Sequence, residues 1–136
     1  MQTKDKKYIE NLFKSYKKNK ARLMMLEKGL ITDEDYILGA INYTKKLKLG
    51  NVQTSTKVTL DNVVEIREQE IKDLKDYIST VDILIESLTK KERFIMESIY
   101  FEKMYYIDIA YELNYKDKYT VWDNKEKILN RLSEVL

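Results

Sequence analysis

The chain lacks cysteine, histidine and proline, and it has only three glycines in 136 residues. Without cysteine there is no disulfide or thiol chemistry, and without histidine there is no imidazole to ligate a metal or to titrate near neutral pH. Catalysis by the common triads is therefore excluded, and we expect neither an enzyme nor a bound cofactor or metal. The scarcity of helix-breaking residues, with abundant Lys, Glu, Ile and Leu, predicts an all-α fold.

Long apolar runs are also missing, since no stretch of about eighteen apolar residues occurs, and there is no signal-peptide pattern. We therefore expect a cytoplasmic protein that does not contact a membrane. The net charge of +2 is unevenly distributed. Residues 1–58 hold 13 basic and 6 acidic residues, residues 59–87 hold 3 and 8, and residues 88–136 hold 9 and 9.

Two helices are predicted near the N-terminus, at about residues 4–28 and 33–46. Gly29 is placed to end the first in a left-handed conformation, and Thr32 is placed to cap the second. Along the first helix, seam residues recur at alternating gaps of three and four, with Asn19 as the polar exception, which is typical of heptad packing. This seam consists of Ile9, Leu12, Tyr16, Asn19, Leu23, Leu26 and Leu30.

A loop is predicted at residues 47–58, where Gly50-Asn51 interrupts helix and neither helical nor strand periodicity is present. A long helix follows at 59–87, with Thr59 as its cap. Its packing seam runs without a break in register, with one charged exception, and consists of Leu60, Val64, Arg67, Ile71, Leu74, Ile78, Val81, Ile85 and Leu88.

Two partners fit the seam of this long helix. Its acidic charge favours packing against the basic first helix, within one chain or exchanged between subunits, because many weak attractions then act in one direction. The other partner is the same helix of a second subunit, although two acidic helices repel each other along their flanks. Residues 1–87 are therefore predicted to form a helical hairpin or coiled-coil region for packing and for homo-oligomerisation.

Residues 88–136 are predicted to form a tri-helical domain. Thr89 and Glu92 have the spacing of a capping box at the start of its first helix. The other two helices lie within Tyr105–Leu132, and Asn114-Tyr115-Lys116-Asp117 separates them, with Asp117 and Thr120 placed to cap the last one. Apolar residues at helical spacing give each helix one packing stripe. The stripe of the first helix is Ile107, Ala110 and Leu113, and that of the second is Val121, Ile128, Leu132 and Val135. This arrangement is the skeleton of a helix-turn-helix, whose second helix enters a DNA major groove.

The run Ser87-Leu-Thr-Lys-Lys-Glu-Arg-Phe-Ile-Met-Glu-Ser-Ile-Tyr100, followed by Ile109-Ala110 and Val121, resembles the pattern of sigma-factor region four. It is more similar to the phage transcriptional regulators of the RinA/ArpU type, in which Tyr100-Phe101 and an aromatic residue before the Ile-Ala pair recur. Tyr16-Lys17-Lys18-Asn19-Lys20 is similar to their N-terminal opening. The resemblance is strongest over about the last fifty residues, and it implies a helix-turn-helix regulator encoded by a phage or prophage.

Two departures from the family pattern concern the turn. The spacing from Leu113 to Val121 is one residue longer than in the family, so either the turn has an additional residue or the register differs. Asn114 and Lys116 stand where the family has Gly and Ser. Asn is the best substitute for Gly in a left-handed conformation, so the first change is compatible with a tight turn.

The candidate DNA contacts follow from the helix-turn-helix interpretation. If the last helix begins at Lys118, the outward side chains of its first turns are placed to face base edges, and flanking cations are placed to contact phosphates. The base-facing candidates are Lys118, Tyr119, Trp122 and Asp123. The phosphate candidates are Lys116, Lys125, Lys127 and Arg131. Trp122 has an alternative role in packing against Tyr111 or Tyr115, and Lys125 and Lys127 have one as solvated surface residues.

The leading hypothesis is a transcriptional regulator that binds double-stranded DNA with its last helix. One observation argues against it, because a DNA-binding module normally carries a basic excess and residues 88–136 are neutral. The alternative is an adaptor that uses the same fold to bind RNA polymerase or an antagonist protein without touching DNA. A third reading is a small packaging subunit that recognises phage DNA.

Overall fold

The computed structural model describes residues 5–39 and 58–136, and all regular structure within those ranges is α-helical. The prediction of an all-α fold is confirmed. None of the described helices is both long enough and apolar enough to cross a membrane. The helices are α1 (Lys6–Glu27), α2 (described over 33–39), α3 (Val63–Glu86), α4 (Lys90–Tyr100), α5 (Tyr106–Glu112) and α6 (Lys118–Val135).

The helix ends near the N-terminus follow from local side chains. Gly29 has φ +69°, and the backbone N–H of Leu30 donates to the carbonyl of Met25 at 3.0 Å, so α1 ends in the left-handed cap that the sequence predicts. Thr32 caps α2, because its hydroxyl accepts from the N–H of Asp35 at 3.0 Å. The rest of the predicted second helix and the predicted loop, apart from Val58, lie outside the described residues.

The start of α3 differs from the prediction. The helix begins at Val63, four residues after Thr59, and residues 60–62 form a turn. The backbone N–H of Thr59 donates to Oδ1 of Asn62 at 2.7 Å, so the local hydrogen bond closes this turn before the helix begins. Thr59 is therefore not the cap of α3.

The chain divides into two compact units. The first unit comprises Met1–Asn19 and Tyr77–Leu136, and the second comprises Lys20–Asp76. This division does not coincide with the predicted boundary between residues 87 and 88. The reason is that the start of α1 and the end of α3 contribute to the same core as α4, α5 and α6.

The core of the first unit contains apolar residues from all five of those segments. Ile9 and Phe13 of α1 are completely buried in it, although Phe13 lies outside the heptad seam that the sequence predicts. The buried set is Ile9, Leu12, Phe13, Val81, Leu84, Ile85, Leu88, Ile95, Met96, Tyr100, Ile109, Ala110, Val121, Ile128, Leu129 and Leu132.

The second unit has a smaller core of Leu26, Tyr36, Val63 and Leu74. Ion pairs join the basic α1 to the acidic α3 within the same chain: Arg22 Nε lies 2.9 Å from Glu70 Oε1, and Lys75 lies 3.5 Å from Glu27. Of the partners predicted for the long helix, the first helix of the same chain is the one observed here.

The predicted seam of α3 is only partly buried. Leu74, Val81, Ile85 and Leu88 are buried, Ile71 and Ile78 are half-buried, and Leu60 and Val64 are exposed. Val63 is buried in place of Val64, which shifts the packed face by one residue at the start of the helix. Within the described ranges, packing therefore leaves Leu60 and Val64 exposed, and an oligomeric seam stays a prediction.

Candidate nucleic-acid interface

The turn between α5 and α6 fixes where the last helix begins. Asn114 has φ +58°, its N–H donates to the carbonyl of Tyr111 at 3.2 Å, and the N–H of Tyr115 donates to the carbonyl of Ala110 at 2.8 Å. These two bonds form a Schellman motif with Asn in the position that Gly usually occupies. The prediction of a left-handed Asn114 is confirmed, and it ends α5 without a glycine.

Asp117 then starts α6. Its carboxylate accepts from the backbone N–H of Tyr119 at 3.0 Å and of Thr120 at 3.1 Å, so it is the N-cap, as predicted. The helix begins at Lys118 and is separated from α5 by Leu113–Asp117. Its register is fixed by burial of one side, which presents Val121, Ile128, Leu129 and Leu132 to the core.

The four base-facing candidates are all on the surface. Lys118 and Asp123 are exposed, Tyr119 is 66% exposed and Trp122 is 45% exposed. Lys118 Nζ lies 5.6 Å from the centre of the Tyr119 ring, a distance compatible with a cation–π contact. The first two turns of α6 thus present a mixed aromatic and charged surface, with its other side anchored in the core. Whether this surface reads DNA stays a prediction.

Lys125 is not available to a phosphate, which corrects its assignment as a phosphate contact. It is 6% exposed, and its Nζ lies 3.7 Å from Glu10 Oε2 and 3.6 Å from Glu126 Oε1. Burial lowers its pKa, but a hydrogen bond with Tyr106 and the two carboxylates outweigh that effect, so the pKa is raised and the ammonium stays charged.

Neighbouring groups complete an ionic cluster around the buried Lys125. Tyr100 donates its hydroxyl hydrogen to Glu10 Oε2 at 2.5 Å, and Lys6 Nζ lies 2.6 Å from Glu126 Oε2. Burial and the hydrogen bond to Glu10 raise the pKa of Tyr100 well above its ordinary value. The cluster links α1 to α4, α5 and α6, so Lys125 stabilises the unit that carries the candidate interface.

Arg131 also has a partner within the chain. Its two terminal nitrogens each lie 2.7 Å from an oxygen of Glu92, which is a bidentate ion pair. Hydrogen bonding from Arg131, together with the N–H of Thr89, lowers the pKa of Glu92 from 4.5 to about 2. This guanidinium is therefore held in an ion pair with Glu92, and its predicted role as a phosphate contact stays a prediction. Lys116 and Lys127 are exposed.

A cleft of about 320 Å³ lies between the start of α4 and the middle of α6. Asn124, Lys127 and Arg131 line it from α6, at spacings that place them on one face of that helix, and Lys91 lines it from α4. Sequence reasoning missed Lys91 and Asn124. The spacing on α6 was the available signal, but Lys91 is brought near them only by the packing of α4 on α6.

The neighbouring helix presents a different chemistry. Tyr105, Ile107 and Tyr111 are between 64% and 81% exposed, so the prediction that Ile107 packs inward is wrong. Ile109, two residues further, is fully buried instead, because the helix turns its other side to the core. The sequence of α5, YIDIAYE, contains two carboxylates and no cation.

Comparison with known proteins adds no relative: no protein-family model, no curated protein and no solved structure matches this chain.

Proposed function

We propose that this protein is a DNA-binding transcriptional regulator that reads double-stranded DNA with the start of α6. The observation that carries the proposal is the exposure of Lys118, Tyr119, Trp122 and Asp123 on a helix that is capped at Asp117 and packed along its other side. Lysine donates to guanine, aromatic rings contact thymine methyl groups or sugars, and aspartate accepts from cytosine. The resemblance to phage regulators supports the same function.

The charge of the first unit sets the expected strength of binding. Lys116 and Lys127 are the predicted phosphate contacts that are not held in ion pairs among the described residues. Two phosphate contacts give a logarithmic salt slope of about −1.8, so affinity falls about 12-fold between 50 and 200 mM salt. With Lys125 and Arg131 also free, the fall would be about 150-fold. We expect the weaker dependence for a single protomer.

The test begins with selection of binding sites from a randomised duplex library at low salt. Fluorescence anisotropy then compares a selected duplex with a scrambled one for the wild type and for Lys118→Ala/Trp122→Ala. We expect the double variant to lose the preference for the selected duplex while its circular dichroism stays helical. Lys72→Ala/Tyr77→Ala is the matched control, since it removes an exposed lysine and an exposed aromatic from α3. Equal preference in both variants would remove Lys118 and Trp122 from the site.

The adaptor function is the second candidate, and the surface of α5 favours it. Exposed Ile107 and Tyr111 beside Asp108 and Glu112 suit a protein partner, because carboxylates repel phosphates and exposed apolar groups mark protein contacts. Purified bacterial RNA polymerase would be titrated against the wild type and Ile107→Ser/Tyr111→Ser. Absence of DNA enrichment at low salt, with polymerase binding that this variant loses, would replace the first proposal with the second.

A further inference from the structure

The cleft between α4 and α6 is lined by more cations than carboxylates. Lys91, Lys127 and Arg131 line it, and among the described residues of its lining Glu92 is the only carboxylate. Glu92 is neutralised by the bidentate ion pair with Arg131, at 2.7 Å for both contacts. The cleft therefore has two further cations for which its own lining provides no counter-charge.

These two ammonium groups are accessible. Lys127 is exposed, and no carboxylate in the described part of the chain lies within 4 Å of its Nζ or of that of Lys91. Lys91 Nζ lies 4.7 Å from the centre of the Tyr115 ring, which holds the side chain by a cation–π contact and leaves its charge uncompensated. Two like charges beside one cleft repel each other, and an anion between them removes that repulsion.

The inferred binding does not use the backbone at the start of α4. Thr89 and Glu92 already satisfy it through a capping box, in which the Thr89 hydroxyl accepts from the Glu92 N–H at 3.2 Å and the Glu92 carboxylate accepts from the Thr89 N–H at 3.0 Å. What the cleft offers is side-chain charge. Asn124 adds an amide whose Nδ2 is kept at the cleft by donating to the carbonyl of Thr120 at 2.8 Å.

We infer that this cleft binds one phosphodiester group of a nucleic-acid backbone, with Lys91 and Lys127 as the two cations that contact it. The inference rests on the proposed function, because α6, which carries Tyr119 and Asp123, also forms one wall of the cleft. Asn124 directly follows Asp123 in the chain, so a strand whose bases face the start of α6 has its backbone within reach of this flank. Phosphate contacts of this kind set the orientation of a helix on DNA and carry no sequence preference themselves.

Salt dependence of duplex binding tests the inference in the full chain. Lys91→Ala and Lys127→Ala are each expected to reduce the magnitude of the logarithmic salt slope, by up to about 0.9 because both contact the same phosphate, while preserving the ratio of affinities for selected and scrambled duplexes. Lys90→Ala is the matched control, since it removes the same charge from the adjacent, exposed position that does not line the cleft. If Lys91→Ala and Lys127→Ala match Lys90→Ala in slope, the inference is overturned even though the protein binds DNA.

A second measurement decides the matter if no duplex binds. Inorganic phosphate is titrated into the isotopically labelled full chain, and amide chemical shifts are followed by nuclear magnetic resonance. Saturable shifts at Lys91, Asn124 and Lys127 that are lost in Lys91→Ala and retained in Lys90→Ala would support an oxyanion site while the DNA-binding proposal fails. Absence of those shifts in a chain that binds no duplex would overturn the site as well.

Discussion

Lys125 is a cation on the helix that we propose to face DNA, yet its ammonium group lies among groups of its own chain. Glu10 and Glu126 lie within 4 Å of it, and Tyr106 hydrogen bonds to it. Removing Lys125 leaves two half-buried carboxylates without their cation, which costs more than the net gain from the intact contacts. This residue therefore supports the interface by stabilising the unit, and it does not contact the ligand.

Substitution at this position tests that role. Lys125→Met keeps the apolar stem and removes the charge, so we expect the free energy of unfolding to fall by about 2 kcal/mol or more. Lys127→Met is the control on the same helix, and a change within about 0.5 kcal/mol is expected because Lys127 is exposed. Urea unfolding followed by circular dichroism measures both. Equal stability of the two variants would show that Lys125 is not part of an energetically coupled cluster.

Glu92 gives the fold a pH-dependent contribution. Its pKa is lowered from 4.5 to about 2 in the folded chain, chiefly by hydrogen bonding from Arg131. A depressed folded-state pKa adds stability that is complete above the unfolded pKa and is lost as pH falls from about 4.5 to about 2. We expect the difference in melting temperature between the wild type and Glu92→Gln to be constant above about pH 5 and to shrink below it. A difference that does not change between pH 5 and pH 3 would exclude this linkage.

At the scale of the helix, the orientation of α5 against the core decides which of its apolar side chains is buried and stabilises the fold. Ile107 and Ile109 are chemically identical and two residues apart, but Ile109 is fully buried and Ile107 is 64% exposed. Ile109→Ala is expected to lower the free energy of unfolding by about 2–5 kcal/mol through lost burial and a cavity. Ile107→Ala is the matched control and should change it by less than about 0.5 kcal/mol. Comparable losses in thermal or urea unfolding would mean that α5 packs with a different face.

Helix ends were predictable because their causes are local. A residue that caps or ends a helix acts on backbone groups a few residues away, so spacing in the sequence was sufficient to predict these positions. They are Gly29, Thr32, Thr89, Asn114 and Asp117. Thr59 is the exception, because its N–H donates to Oδ1 of Asn62 in a turn and α3 begins only at Val63.

The buried face of a helix and the ion-pair partner of a charged side chain were harder to predict, because both depend on residues that are distant in the sequence. In α5, spacing alone favoured Ile107, and the packing of α5 in the core shared with the other segments decided for Ile109. Lys125 looked like a surface cation because its partner Glu10 is more than a hundred residues away in the chain. The separation of Arg131 from Glu92 is 39 residues. The exposure of the candidate base-facing residues could be expected from the helical period, whereas the choice of phosphate contacts required the fold.

At the scale of the whole molecule, the candidate interface does not belong to a separate C-terminal piece. The first unit joins the start of α1 to the end of α3 and to α4, α5 and α6. Two observations tie α1 into it: Ile9 and Phe13 are fully buried there, and Glu10 and Lys6 belong to the ionic cluster of Lys125. The helix that we propose to face DNA is thus held in place by residues from both ends of the sequence.

Phe13 provides the sharpest test of that arrangement. Its ring centroid lies 5.8 Å from that of Tyr100 and 6.1 Å from that of Phe101, so Phe13→Ala removes aromatic packing and leaves a cavity, at an expected cost of about 3–5 kcal/mol. Trp122 is the only tryptophan in the chain and lies on α6, so its fluorescence during urea unfolding follows this unit. Tyr8→Ala, at a more exposed position of α1, should shift the transition far less. If residues 88–136 formed a self-sufficient domain, the Trp122 transition would be the same in both variants, since a domain that does not use α1 cannot sense a cavity beside it.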